Sequence, residues 1–138
     1  MVADPTVEDT PTARLLELVA LIVPVSDGAP RGTDGRIETP TGPHVILHGG
    51  TPTPTSLNLN HDHATTSHTW QLVCVSNNPH GARAIANRIT RAIDSVQAPD
   101  HPHDRYTVTH ASPPIEDRDD PAAWRWTTTV EVQLTTGR

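Results

Sequence analysis

Lysine and phenylalanine are absent from this chain, and cysteine occurs once, at Cys74. A single cysteine excludes an intramolecular disulfide framework and any cysteine-rich zinc motif. The ten basic residues are all arginine and face 16 acidic ones, giving a formal charge of −6. That balance argues against free-standing nucleic-acid binding, which normally needs a basic footprint. Lysine and phenylalanine share A/T-rich codons, so their joint absence points to a GC-rich genome and says nothing about mechanism. Long apolar runs are missing too. The longest, "LLELVALIVPV", is too short to span a bilayer and contains Glu17 and Pro24. The opening "MVADPTVEDTPT" is acidic and polar, unlike a secretory signal. The expectation is a soluble product of the cytoplasm with no membrane partner. No serine sits in a G-x-S-x-G turn, no glycine-rich phosphate loop follows a strand, and "HGG" at 48–50 is too short to mark an oxyanion hole. These gaps point away from an enzyme, with no catalytic residue and no cofactor to nominate.

What is present is proline, 14 residues of it, against a hydrophobic fraction of 34%. Length and composition together predict one domain over residues 1–138, with a modest core and long irregular loops. "TPTARLLELVALIVP" reads as a first helix, with Thr10 as N-cap, Pro11 at the first position and Pro24 as the stop. Leu15, Leu18, Val19 and Ile22 form its stripe, while Leu16, Leu21 and Val23 widen the apolar surface beyond one side. A proline- and glycine-rich connection over 26–43 leads to a buried-type strand, "HVILHGG". A polar excursion over about 50–67 then reads as a flexible loop. "HTWQLVCVS" is a strand covered on both faces. The second helix follows in "NNPHGARAIANRITRAIDSV", capped by Asn78 with Pro79 in its first turn. Ala82, Ile85, Ala86, Ile89, Ile93 and Val96 share its stripe, and the small residues near its start suit a close approach to a sheet. Residues 100–104 read as a turn, "RYTVTHA" as a strand, "SPPIEDRDDPAA" as a polar loop, and "WRWTTTVEVQLTT" as a half-buried antiparallel strand. The element order α-β-β-α-β-β implies an α+β fold, mainly an antiparallel four-stranded sheet with two helices packed on one face.

Two clusters invite a chemical reading. "NHDHATTSH" places His61, His63 and His68 around Asp62, the residue types of a zinc site. A rigid four-ligand set with an ordered outer shell is missing from such a loop, so solvated loop histidines are the expectation and no metal ligand is nominated. "DHPHD", with His101 and His103, reads the same way. "EDRDD" brings four carboxylates into five residues but lacks the alternation and glycine of a calcium loop. It reads as a solvated acidic loop, or as an electrostatic surface. Cys74, inside an apolar run, reads as a buried inert thiol. Arg83, Arg88 and Arg91 lie off the second helix's stripe and read as its wet face, with phosphate or a partner's carboxylates as alternative ligands.

From about Thr10 onward the pattern resembles the tail terminator proteins of long-tailed bacteriophages, also called tail-completion or minor tail proteins. The likeness lies in the leucine-rich first helix, "GPHVILHGG", the strand "WQLVCVS" followed by the "ARAIANRITRAI" helix, and the closing "WRWTTTVEVQL". It is one of pattern and element order, without an invariant motif. The resemblance implies a structural virion protein that forms a hexameric ring, caps the tail tube at its final length and joins it to the head. It also implies residence at the head-proximal end of the tail, with the major tail-tube protein and a head-completion connector protein as partners. Viral DNA would pass through the lumen without sequence-specific binding, as a net acidic ring allows. No catalytic residues carry over. Candidate subunit-interface residues are Leu16, Leu21 and Val23 on the first helix, Arg83, Arg88 and Arg91 on the second, and Asp117, Asp119 and Asp120 in the acidic loop. The alternatives are a head-side stopper or connector ring and, from a different class, a histidine-based metal-binding protein or hydrolase.

Overall fold

A computed structural model describes residues 10–28, 34, 42–54, 65–98, 101–117 and 125–137. Within them lie two helices, α1 (Thr10–Ala20) and α2 (Pro79–Ile93). The nine strands are β1 (Val25–Asp27), β2 (His44–Gly49), β3 (Thr53–Pro54), β4 (Thr65–Ser76), β5 (Gln97–Ala98), β6 (His101–Arg105), β7 (Thr107–Ala111), β8 (Ile115–Asp117) and β9 (Arg125–Gly137). Seven strands form one sheet in the order β1-β2-β4-β9-β7, with β3 on β4 and β8 on β9, while β5 and β6 form a separate pair.

This overturns the expected four-stranded antiparallel sheet carrying two helices on one face. The sheet is larger and mixed, because β1 runs parallel to β2 with Val25 opposite Val45. The additional strands are two to five residues long, too short to show a period, and β1, β3 and β8 each borrow their register from a longer neighbour. Residues 26–43 are therefore not connection throughout, since β1 takes Ser26 and Asp27. The reading of 50–67 as one loop also fails at its ends: Thr53 pairs with Ser67 and Pro54 with Thr66. Its middle, 55–64, lies outside the described residues. The turn at 100–104 is largely β6, and the "SPPIEDRDDPAA" loop contains β8.

The sheet is organised by its two longest strands. β4 and β9 pair antiparallel from Thr65 opposite Gly137 to Ser76 opposite Trp126. Alternation puts Trp70, Leu72 and Cys74 of β4 on one face with Thr128, Val130, Val132 and Leu134 of β9, all buried. Thr69 and Gln71 are exposed on the other face, so β4 is not covered on both sides along its length. That opposite face is closed at one end, where His44 and Val75 pair and are both buried. The stripe of α2 lies in the same core as the covered face: Ile89 and Ile93 are fully enclosed, and Ala82, Ile85 and Ala86 are buried.

Candidate functional site: the open end of the first helix

The two helices are held differently. At the start of α2 the Asn78 side chain accepts from the Gly81 N–H at 2.6 Å, and Pro79 occupies the first turn. Gly81 suits that close approach, since a Cβ would run into the Ser76 hydroxyl at the end of β4. The helix stops at Asp94, whose carboxylate accepts from the Val108 N–H at 3.1 Å.

The start of α1 is pinned from the sheet by two aromatic side chains. Trp70 donates its indole N–H to the Thr12 hydroxyl at 2.9 Å, and the Tyr106 hydroxyl donates to the Pro11 carbonyl at 2.6 Å. The two rings are tilted against each other with centroids 5.7 Å apart. Gly50 completes this anchor: its φ of +93° suits glycine, and a Cβ there would collide with the Trp70 indole. The "HGG" stretch thus serves packing around tryptophan.

His68 belongs to the same cluster. It is buried, stacked on Trp70 at 5.5 Å, and its Nδ1 lies 3.3 Å from the Gly50 carbonyl. The solvated-loop reading is therefore wrong for His68. His61 and His63 lie outside the described residues, as do the side chains of His101 and His103. No group of three His, Cys, Asp or Glu side chains gathers among the described residues. Cys74 is buried, and that burial pushes its thiol up to about 12 from an ordinary 9.0.

At its far end α1 is left open. Leu15 and Val19 are buried, and Leu16, Leu18 and Ile22 pack partly against the core. Leu21, on the turn after the helix, is 84% exposed. Ile22, the next residue, enters the lining of a groove of about 350 Å³. Ile22, Val23, Pro24, Pro43 and Ile85 give it apolar walls, Ser76 and Gly81 contribute to its lining, and Arg88 adds a charge. Val23 is itself buried in the core, so it contributes a wall and not a protruding contact. Arg83, Arg88 and Arg91 are exposed on α2, a helix with no acidic residue, and make no salt bridge among the described residues.

Across the sheet, Ile115 of β8 is 59% exposed and starts the "IED" strand containing Glu116 and Asp117. The side chain of Asp117 is not described, and Asp119 and Asp120 lie outside the described residues. Sequence reading passed over Ile115 because it stands alone between two prolines and an acidic run, with no apolar neighbour in register. Of the candidate interface residues with described side chains, Val23 and Arg88 line the groove, while Leu16, Leu21, Arg83 and Arg91 lie outside its lining. A second opening, about 410 Å³, is polar and is lined by Asp104, Arg105, Thr107, Gln133 and Thr135. No helix among the described residues is long and apolar enough to cross a membrane. Neither a protein-family model nor a curated protein sequence matches the chain.

Proposed function

We propose that this chain is an assembly subunit of the tail-terminator type, a structural virion protein. Six copies close into a ring that stops growth of the tail tube and docks it to the head. The observation that carries the reading is the unfinished burial at the end of α1. A leucine left 84% exposed, one residue before the chain enters the wall of an apolar groove, suits a surface completed by a neighbour. A closed ring needs one patch on each subunit to fit a different patch on the next. The groove and the β8 edge are two such patches on different sides of the sheet. The acidic net charge suits a lumen through which DNA slides without sticking.

Deletion of the gene from its phage is the test. The expected result is tails of uncontrolled length, or tails unable to join heads, with the protein found at the head-proximal end of normal tails. Complete particles with tails of normal length in the deletion would refute it. A gene order that sets this gene beside those for the tail tube and head completion is the expected genomic setting.

A further inference from the structure

We propose that Asp27–Gly28 is a gated modification site. Asp27 converts to isoaspartate from the state in which β1 has left β2, and the conversion keeps β1 from returning. The reaction needs no partner, so it stands apart from the ring. The Gly28 nitrogen attacks Asp27 Cγ, the side chain loses one oxygen as water, and a five-membered succinimide forms. Water then reopens the ring. Opening at the former peptide carbonyl leaves the main chain running through Cγ and the old carbonyl carbon as a free carboxylate. No other reactant enters, and the mass of the chain is unchanged. Glycine is the most permissive residue to follow the aspartate, because it sets no side chain beside the attacking nitrogen.

Access to the site is open. Asp27 is exposed at the end of β1, and nothing lies within 4 Å of the point where a Cβ on Gly28 would stand. Three features of the paired strand nevertheless hold the reaction back. The Gly28 N–H donates to the Leu47 carbonyl at 2.8 Å, which turns the attacking nitrogen towards β2. The Ser26 hydroxyl donates to the Gly28 carbonyl at 2.9 Å and ties the turn to the strand. Strand backbone also keeps ψ positive, whereas closing the succinimide needs ψ of the opposite sign at Asp27. All three last only while β1 is paired. β1 has three residues and ends the strand order of the sheet, so its release is a local opening and not global unfolding.

The product does not fit the strand it came from. Isoaspartate lengthens the main chain by one methylene between Pro24 and Gly28. The Pro24 carbonyl accepts from the Val45 N–H at 2.9 Å, and Gly28 donates to Leu47 two residues further along β2. A longer segment cannot keep both bonds in the register that sets Val25 opposite Val45 and Asp27 opposite Leu47. Pro24 also lines the groove, so losing β1 frees part of that wall.

The test ages the full chain in warm neutral buffer, folded and unfolded in guanidinium chloride, and separates the isomeric tryptic peptides by chromatography. Trypsin divides the chain's two Asp-Gly pairs, Asp27 falling in 15–31 and Asp34 in 32–36. In guanidinium chloride the two sites should convert at matching rates. In the folded protein Asp27 should convert more slowly than in the unfolded chain by roughly tenfold or more. Ser26→Ala removes one tie, and should raise the folded rate several-fold while leaving the unfolded rate unchanged. Folded molecules that carry isoaspartate at 27 should lose hydrogen-exchange protection at the Val45 amide. A folded rate equal to the unfolded one, or one unmoved by Ser26→Ala, would overturn the gate. Conversion of Asp34 without Asp27 in the unfolded chain would overturn the site itself. Full protection of Val45 in the converted molecules would show that β1 returns, and would overturn the irreversible step.

Discussion

The two helices of this protein bury apolar surface to different degrees, although both begin with proline in the first turn. On α2 the apolar residues fall on one stripe and are enclosed against β4 and β9, leaving three arginines outside. On α1 the apolar residues run round more than one side. Its first turn is tied down by Trp70 and Tyr106, yet Leu21 at the other end stands almost clear of the subunit. One helix finishes its burial within the chain. The other is finished at one end and open at the other, and the open end borders the groove. The difference teaches that a broad apolar surface on a helix need not mean a large core; here it separates an anchored end from an exposed one.

The sharpest way to break that contrast is to cut the anchor. Trp70→Ala removes the ring that fills the space over Gly50, stacks on His68 and holds Thr12, and should destabilise the subunit by about 3–5 kcal/mol. Denaturant unfolding measures this; a loss below about 1 kcal/mol would mean that α1 is held by something other than its first turn. Next comes the stripe of α2. Ile89→Ala opens a cavity against the sheet and should cost about 2–4 kcal/mol, and a change within about 0.5 kcal/mol would place Ile89 at the surface. Asn78→Ala deletes the cap on α2 and should cost ~1 kcal/mol, leaving the fold intact. At the small end, Leu21→Ser should change subunit stability by no more than about 0.5 kcal/mol, because the leucine is already in water.

Cys74 gives a check on the core between the helices and the sheet that needs no mutation. Its thiol should resist a water-soluble thiol reagent in the folded protein and react on unfolding. Because burial raises the folded thiol from 9.0 to about 12, the folded state binds the proton more tightly than the unfolded chain does. The corresponding stability is present below pH 9 and is lost as pH rises from there towards 12. Prompt labelling of the native protein at neutral pH would show that the space around Leu72 and Cys74 opens readily.

The start of α2 was legible in the sequence to its cap, because Asn-Pro and an apolar stripe are local signals, but the stripe was read to Val96, three residues past the helix's end at Ile93. The inward face of β9 was legible as far as Val130, Val132 and Leu134, since alternation over a long strand is also local. Strands β1, β3, β5, β6 and β8 were not, because they carry two to five residues each and take their pairing from the neighbour. With them went the mixed character of the sheet. His68 misled for a related reason: reading it with His61 and His63 ignored that Trp70, two positions on, shares its side of β4 and covers it. At the candidate site, Leu21 and the arginines could be seen from helical periodicity. The groove could not, since Pro43 and Ile85 reach it from elements far apart in the chain.

The central claim is that the open end of α1 is a contact surface between copies. Sedimentation of the wild-type protein and of Leu21→Ser, compared over the same range of concentrations, tests it most directly. The expected result is association of the wild type as concentration rises and a marked weakening in Leu21→Ser, with the thermal midpoints of the two monomers matched. Identical association of both proteins, with equal stability, would contradict it and return Leu21 to the status of a leucine that merely faces water.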